Sequence, residues 1–117
     1  MLVNNVKIIS KIKRKDGIIF KLEVENKVFE IILTNHTLKR INCWRLKDLE
    51  VINALLFAEE VVIGHGNRFI AHKSRDKHII RIIYEYQNNI PKVITVYVPS
   101  KERYFQGGEK YADKIFP

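Results

Sequence analysis

The chain has a single cysteine and none of the long runs that mark secreted, membrane or disordered proteins. Because Cys43 stands alone among 117 residues, no disulfide can form within the chain, which excludes a disulfide-built secreted scaffold. No apolar run reaches the length that crosses a bilayer. The opening MLVNNVKIIS lacks the form of a signal segment, and no long run of like charge indicates a basic tail. We therefore expect a cytoplasmic protein.

The sequence also lacks the motifs of several enzyme classes. It has no P-loop, no dinucleotide fingerprint and no serine nucleophile elbow. Its cysteine and histidines do not have the spacing of metal ligands. Acidic residues such as Asp76, Glu85 and Glu102 form no obvious set for Mg²⁺. We therefore expect no metal and no cofactor, so any nuclease activity would be metal-independent.

Positive charge is what the chain has in excess. It holds 21 Lys and Arg against 13 Asp and Glu, a formal net charge of +8. The excess lies in residues 1–35 and 61–117, whereas residues 36–60 are neutral. Such a balance favours polyanionic partners, with nucleic acid first and an anionic membrane surface second. A thermophile-like surface of solvated charges is the alternative. We expect nucleic acid as the partner, and no membrane.

The apolar pattern predicts one α+β domain over residues 1–117. Residues 1–32 read as an N-terminal β-meander, because alternating runs are separated by turn signals such as Asp16-Gly17. Its strands are expected at Val6–Lys13, Ile18–Val24 and Val28–Ile32. Thr34 or Asn35 can cap a first helix. The two helices are expected at His36–Cys43 and Asp48–Phe57.

Four more strand-like runs follow the helices, and residues 105–117 form a tail. The runs are expected at Val61–Gly64, Arg68–Lys73, His78–Tyr86 and Lys92–Val98. Residues two apart in a strand share a face, so Ile94 and Val96 are expected in the core and Val93 outside it. The face opposite the helices is then expected to carry Arg68, His72, Arg81, Thr95 and Tyr97.

Arg81 is the most informative member of that polar face, because it interrupts an almost continuous apolar run. A guanidinium there can bind a phosphate. The alternative is an internal salt bridge, with Glu85 as the partner. His36 and Arg40 lie four residues apart and share a helix face, where they could transfer a proton and bind phosphate, or simply be solvated.

Lys101, Arg103 and Tyr104 follow the last strand. Arginine can bind phosphate oxygens and tyrosine can stack on a base, a combination typical of single-stranded RNA recognition. Ordinary solvated charges at a strand end are the alternative reading. Two histidines remain as candidates for proton transfer, His36 on the helix and His72 on the sheet.

The order of several short segments is characteristic. They are Thr34-Asn35-His36 with Arg40, Phe57-Ala58-Glu59-Glu60-Val61, Asn67-Arg68-Phe69-Ile70-Ala71, Ile80-Arg81-Ile82-Ile83-Tyr84-Glu85, Val93-Ile94-Thr95-Val96-Tyr97 and Arg103-Tyr104. With them, the chain from Leu33 to Tyr104 resembles an uncharacterised prokaryotic family related to the RelE-like and BrnT-like ribonuclease toxins of the barnase–EndoU–colicin–RelE fold.

This resemblance implies a fold, an activity and a site. The fold is α+β, with two helices packed on a four-stranded antiparallel sheet over residues 33–104, preceded by the meander. The activity is metal-independent RNA cleavage by 2′-hydroxyl attack, carried out by a toxin with an antitoxin partner. The implied catalytic residues are His36, Arg40, His72, Arg81 and Tyr97. The residues expected to bind RNA or phosphate are Arg68, Lys101, Arg103 and Tyr104.

Two other functions fit the same sequence. The first is a nucleic-acid-binding module without catalysis, for which charge and aromatic residues suffice. The second is a structural or interaction protein that forms a homo-oligomer through residues 1–32, since a strand edge can pair with a second chain.

Overall fold

The structure, a computed structural model, describes residues 5–116 and shows one seven-stranded sheet with three helices. The strands are β1 Lys7–Arg14, β2 Gly17–Val24, β3 Lys27–Thr34, β4 Glu60–Ile63, β5 Phe69–Arg75, β6 His78–Gln87 and β7 Ile90–Tyr97. The helices are α1 Asn35–Cys43, α2 Asp48–Leu56 and α3 Lys101–Tyr104. Every strand and both long helices that the sequence predicted are present, with ends shifted by one or two residues.

The predicted fold class is nevertheless wrong. The strands lie in the order β1-β2-β3-β7-β6-β5-β4, so the meander is part of the same sheet as the later strands. All neighbours are antiparallel except β3 and β7, which pair in parallel through Ile32 with Lys92 and Leu33 with Val93. The protein is therefore a seven-stranded mixed sheet with three short helices. Because β3 and β7 lie far apart in the sequence, no local sequence pattern reveals that they pair.

Local chemistry explains the turn and the helix that the sequence did predict. Gly17 follows the β1–β2 turn and opens β2, and a Cβ there would collide with the backbone oxygen of Leu33, so the close approach of β2 to β3 needs glycine at this position. The hydroxyl of Thr34 caps α1 by accepting the backbone N–H of Thr37 at 3.2 Å. The buried hydroxyl of Thr37 donates in turn to the backbone oxygen of Val93 at 2.9 Å, which joins α1 to β7.

The core lies between the sheet and the two long helices. Strand residues such as Phe20, Ile82 and Tyr84 are buried there in one cluster with residues of both helices. Val93, which the alternation placed outside, is fully buried in this core. The reason is a bulge, because Thr95 pairs with Ile83 and Val93 pairs with Tyr84, leaving Ile94 as an extra residue. One inserted residue reverses the alternation of the strand.

The C-terminal segment wraps around one edge of the sheet. Lys101–Tyr104 forms the short helix that the sequence did not predict, beside β6. Glu109 then donates to the backbone oxygen of Glu59, just before β4, and the backbone of Lys110 and Ala112 hydrogen-bonds to Val61 of β4. The ring of Phe116 finally packs against Phe29 and Phe57, at centroid distances of 5.5 and 5.2 Å. Within residues 5–116, no helix is long and apolar enough to cross a membrane.

Candidate functional site

Four polar side chains form a row across strands β4 to β7. Glu60 lies opposite His72, His72 opposite Arg81, and Arg81 opposite Tyr97 in the strand pairing. Directly opposed residues point to the same side of a sheet. Because Ala71 and Ile82, the neighbours of His72 and Arg81 along the chain, face the helices, the row lies on the opposite face.

Hydrogen bonds join the whole row. His72 Nδ1 is 2.6 Å from a carboxylate oxygen of Glu60. Nη1 of Arg81 is 2.8 Å from His72 Nε2, and Nε of Arg81 donates to the hydroxyl of Tyr97 at 2.8 Å. Since a guanidinium can only donate, Nε2 must accept and Nδ1 must carry the proton that is donated to Glu60. His72 is therefore held as a neutral imidazole with both nitrogens occupied.

Burial explains these protonation states. His72 and Glu60 are both 0% exposed. Burial, aided by the charge of Arg81, holds the pKa of His72 below its usual value although Glu60 acts in the opposite direction. Burial by itself would raise the pKa of Glu60, but the hydrogen bonds from His72, Gln106 and Gly108 outweigh it and leave that pKa lowered. Glu60 is thus the anion, His72 neutral and Arg81 the cation.

The cation of the row, Arg81, is in contact with no carboxylate of the described residues. Among residues 5–116, the ion pairs within 4 Å do not include Arg81. Its neighbours are a neutral imidazole and two aromatic rings, with the guanidinium carbon 4.0 Å from the ring centroid of Tyr104 and 5.6 Å from that of Tyr97. Arg81 is half-buried. Among residues 5–116, Arg81 donates to His72 and Tyr97 only, which leaves other N–H groups of the guanidinium for an external anion.

The segment after β7 holds Tyr104 over Arg81. The backbone N–H of Lys101 donates to the oxygen of Lys77 at 2.9 Å, which fixes α3 beside the β5–β6 turn. The backbone N–H groups of Gln106 and Gly108 each donate to Glu60 at 2.9 Å. Glu60 therefore has two tasks, since it orients His72 and ties the C-terminal segment to the sheet.

Two predicted residues of α1 lie beside this row. Nε2 of His36, which is exposed, is 3.2 Å from the hydroxyl of Thr95. Thr95 shares a strand face with Tyr97 two residues later, about 7 Å away along the strand. Arg40 lies one helical turn beyond His36, with its guanidinium carbon 5.9 Å from the ring centroid of Trp44.

The other predicted residues divide into two groups. Arg103 joins the site, since its guanidinium carbon is 5.3 Å from the Tyr104 ring, and Lys101 lies on the same helix over Phe105 at 4.8 Å. Arg68 is separate from the site. It lies four residues before His72, and this spacing corresponds to about 13 Å along a strand. Arg68 is paired with Glu85 at 3.0 Å. The expected alternative partner of Arg81 is therefore occupied elsewhere.

Sequence reasoning missed Glu60, the anion that completes the row. Nothing in Glu59-Glu60-Val61 marks the second carboxylate as buried. Its role depends on the register between β4 and β5, which sets it opposite His72. Within residues 5–116, no three His, Cys, Asp or Glu side chains come together as a group that could hold a metal ion.

Comparison with protein families gives a match over the central part of the chain. Residues 33–98 match the family described as a domain of unknown function, DUF4258. The matched segment contains α1 to β7, and with them Glu60, His72, Arg81 and Tyr97, whereas α3 and Tyr104 lie beyond it. Comparison with curated proteins gives no match, and comparison with solved structures gives none. Because the match covers more than half of the chain, the protein belongs to the DUF4258 family.

Proposed function

We propose that the protein is a metal-independent endoribonuclease that binds the scissile phosphate of RNA at Arg81. The observation that carries the proposal is the state of this guanidinium, which is fixed in place by the neutral side chain of His72 and the hydroxyl of Tyr97. No carboxylate among residues 5–116 neutralises Arg81 by contact. A rigidly held cation with free donors is what a phosphate and its transition state require.

The reaction would be an internal transfer at phosphorus. The ribose 2′-oxygen forms a bond to the adjacent phosphorus and loses its proton to a base, while the bond from phosphorus to the 5′-oxygen breaks and that oxygen receives a proton. His36 is the exposed imidazole beside the row and is our candidate for the base. Tyr97 accepts a hydrogen bond from Arg81, which leaves its own proton free to reach the leaving oxygen.

The remaining residues would bind rather than react. Tyr104 lies against Arg81 and could contact a base, and Arg103, which lies against the ring of Tyr104, could contact the next phosphate. His72 is fully buried with both ring nitrogens occupied, so we assign it a positioning role instead of proton transfer. If the protein is a toxin, it acts in the cytoplasm and inhibits growth when expressed. Co-expression of its antitoxin protein should then restore growth.

The first prediction concerns the cleavage itself. Purified protein incubated with RNA in EDTA should release fragments that end in a 2′,3′-cyclic phosphate. Arg81→Ala should lower the rate about 100-fold or more, because it removes the main donor to the phosphate, and His36→Ala should also lower it. Arg14→Ala is the matched control, since it removes the same charge at the β1–β2 turn, where Arg14 pairs with Asp16 at 3.3 Å.

Intact RNA at micromolar protein, together with normal growth on expression, would contradict the nuclease. The second candidate, a nucleic-acid-binding module without catalysis, would then stand. It is favoured by the burial of His72, which leaves the exposed His36, in contact with Thr95, as the candidate for proton transfer. Its signature is RNA binding that weakens steeply with salt and yields no product.

A further inference from the structure

Trp44 is the single tryptophan of the chain, and the fold leaves it 39% exposed at the end of α1. The helix end holds its backbone, and a guanidinium lies near its ring. The backbone N–H of Trp44 donates to the oxygen of Arg40 at 2.9 Å, and the guanidinium of the same arginine lies against the indole at 5.9 Å. An aromatic surface of this size is usually buried more completely in a core or an interface.

The indole forms one wall of a small cleft. The cleft has a volume of about 230 Å³, and Val98, Asp76, Arg75 and His78 complete its lining. Val98 follows Tyr97 directly in the chain, and His78 pairs with Ser100, just before α3. The cleft therefore lies at the same end of the sheet as Arg81 and Tyr104, but on the helix side, because Val98 packs against the core.

One stripe of α1 connects the cleft with the phosphate-binding row. His36, Arg40 and Trp44 are spaced four residues apart, so their side chains follow one side of the helix. His36 contacts Thr95 at the near end of the stripe, and Trp44 lines the cleft at the far end. Eight residues of helix separate them by about 12 Å. The stripe offers an imidazole, a guanidinium and an indole in succession.

We propose that the Trp44 cleft binds an unpaired base of single-stranded RNA whose backbone passes along Arg40 and His36, around the end of the sheet, to Arg81. This inference rests on the proposed function and narrows its substrate to single strands. An exposed indole flanked by arginines stacks on the flat face of a base. A duplex hides those faces within its own stack, so recognition of this kind requires an unpaired nucleotide.

The test uses the fluorescence of Trp44, which has no second tryptophan to obscure it. The probe is a 12-nucleotide oligoadenylate with 2′-O-methyl riboses, which binds but cannot be cleaved because the attacking hydroxyl is blocked. Stacking should quench the fluorescence to saturation. A duplex of this strand with its complement should bind at least tenfold more weakly and quench less.

Variants at Trp44 and at a control position distinguish a loss of base stacking from a loss of folding. Trp44→Leu should weaken binding of the labelled oligoadenylate about tenfold or more, measured by anisotropy, and Trp44→Phe should restore part of it because a ring remains. Tyr111→Leu is the matched control, since Tyr111 is also an exposed aromatic residue, at 43%, and also lies under a cation, with Nζ of Lys114 at 4.7 Å.

The outcomes distinguish this inference from the proposed function. Cleavage of RNA without any quenching, and with Trp44→Leu binding as tightly as the wild type, would overturn the subsite and leave the nuclease. Equal affinity for the duplex would overturn the preference for single strands. Quenching by the oligoadenylate without cleavage of unmodified RNA would support the subsite and contradict the nuclease.

Discussion

Arg81 shows how a single residue acquires its chemistry from its neighbours. A cation in the middle of an apolar strand normally needs an anion in contact with it. Here the anion is Glu60, and the neutral ring of His72 stands between the two. The negative charge is thereby kept one residue away, so Arg81 is held in place without being neutralised by a direct ion pair.

The protonation of His72 leads to a prediction about stability and pH. Its folded pKa lies below the usual value of 6.5, so the unfolded chain takes up the proton first as the pH falls. The free energy of unfolding contributed by His72 is therefore fully present above pH 6.5 and is lost as the pH falls from there toward the folded pKa. His72→Gln, which does not titrate, should lack this decline. Urea denaturation at pH 7.5 and 5.5 measures it.

The pH dependence that Glu60 contributes can be distinguished from that of His72, and an exposed histidine provides the control. Glu60 also has a lowered pKa, so its contribution is lost only as the pH falls below its usual value of 4.5, a separate and more acidic range. His65→Gln, at an exposed loop residue, should keep the wild-type profile. An unchanged profile in His72→Gln would show that His72 does not titrate in this way.

The C-terminal segment shows how an element gains structure from the sheet it covers. Its residues 109–112 pair with β4, and Asp113 accepts hydrogen bonds from the hydroxyls of Tyr84 and Tyr86, both at 2.7 Å. Burial, together with the negative charge of Asp113, raises the pKa of both tyrosines and keeps them protonated as donors. The segment thus covers a strand edge that would otherwise be open to another chain.

Removing residues 109–117 should lower the free energy of unfolding by roughly 3 kcal/mol or more, because aromatic packing and hydrogen bonds are lost together. The exposed edge of β4 should also make the protein aggregate. Phe116→Ala is the matched variant, since it removes the ring that packs on Phe29 and Phe57 but keeps the edge covered. It should be destabilised without aggregating, and light scattering during thermal unfolding compares the two. If Phe116→Ala aggregated as much as the protein without residues 109–117, this would contradict the role of the segment in covering the β4 edge.

At the scale of the whole molecule, the two edges of the sheet differ. The β4 edge is covered by the C-terminal segment, whereas the outer edge of β1 pairs with no strand among residues 5–116. Ile9 and Ile12 of β1 are 46% and 57% exposed. Oligomer formation through residues 1–32 therefore stays a prediction, with β1 as the contact. Deleting those residues cannot test it, because β2 and β3 supply core residues such as Phe20 and Ile31.

The positive charge of β1 determines how salt should affect such an oligomer. β1 reads KIISKIKR, so two copies that pair would bring like charges together. Added salt screens this repulsion. Association should therefore strengthen between about 0.05 and 0.5 M salt, the opposite of RNA binding. Sedimentation velocity measures it, with Ile12→Lys as the disruptive variant and Val28→Lys as the exposed control on β3. A monomer at every salt concentration would contradict the prediction.

The sequence by itself determined the local elements of this protein. Alternating apolar residues, Asp16-Gly17 and Thr34 specify strands, a turn and a helix start through interactions within a few residues, and these were confirmed. The same local pattern singled out Arg81, because a cation inside an apolar strand is visible without any tertiary contact. The assigned roles of His36, Tyr97 and Arg103 stay predictions.

Only the tertiary structure decided which elements meet. The parallel pairing of β3 with β7 makes one sheet out of two predicted units, and the bulge at Ile94 turns Val93 inward. The register of β4 against β5 sets Glu60 beside His72. Such contacts join residues far apart in the chain, and their free energy comes from burial and hydrogen bonds that exist only after the sheet has assembled. Periodicity can therefore predict a strand but not its partner.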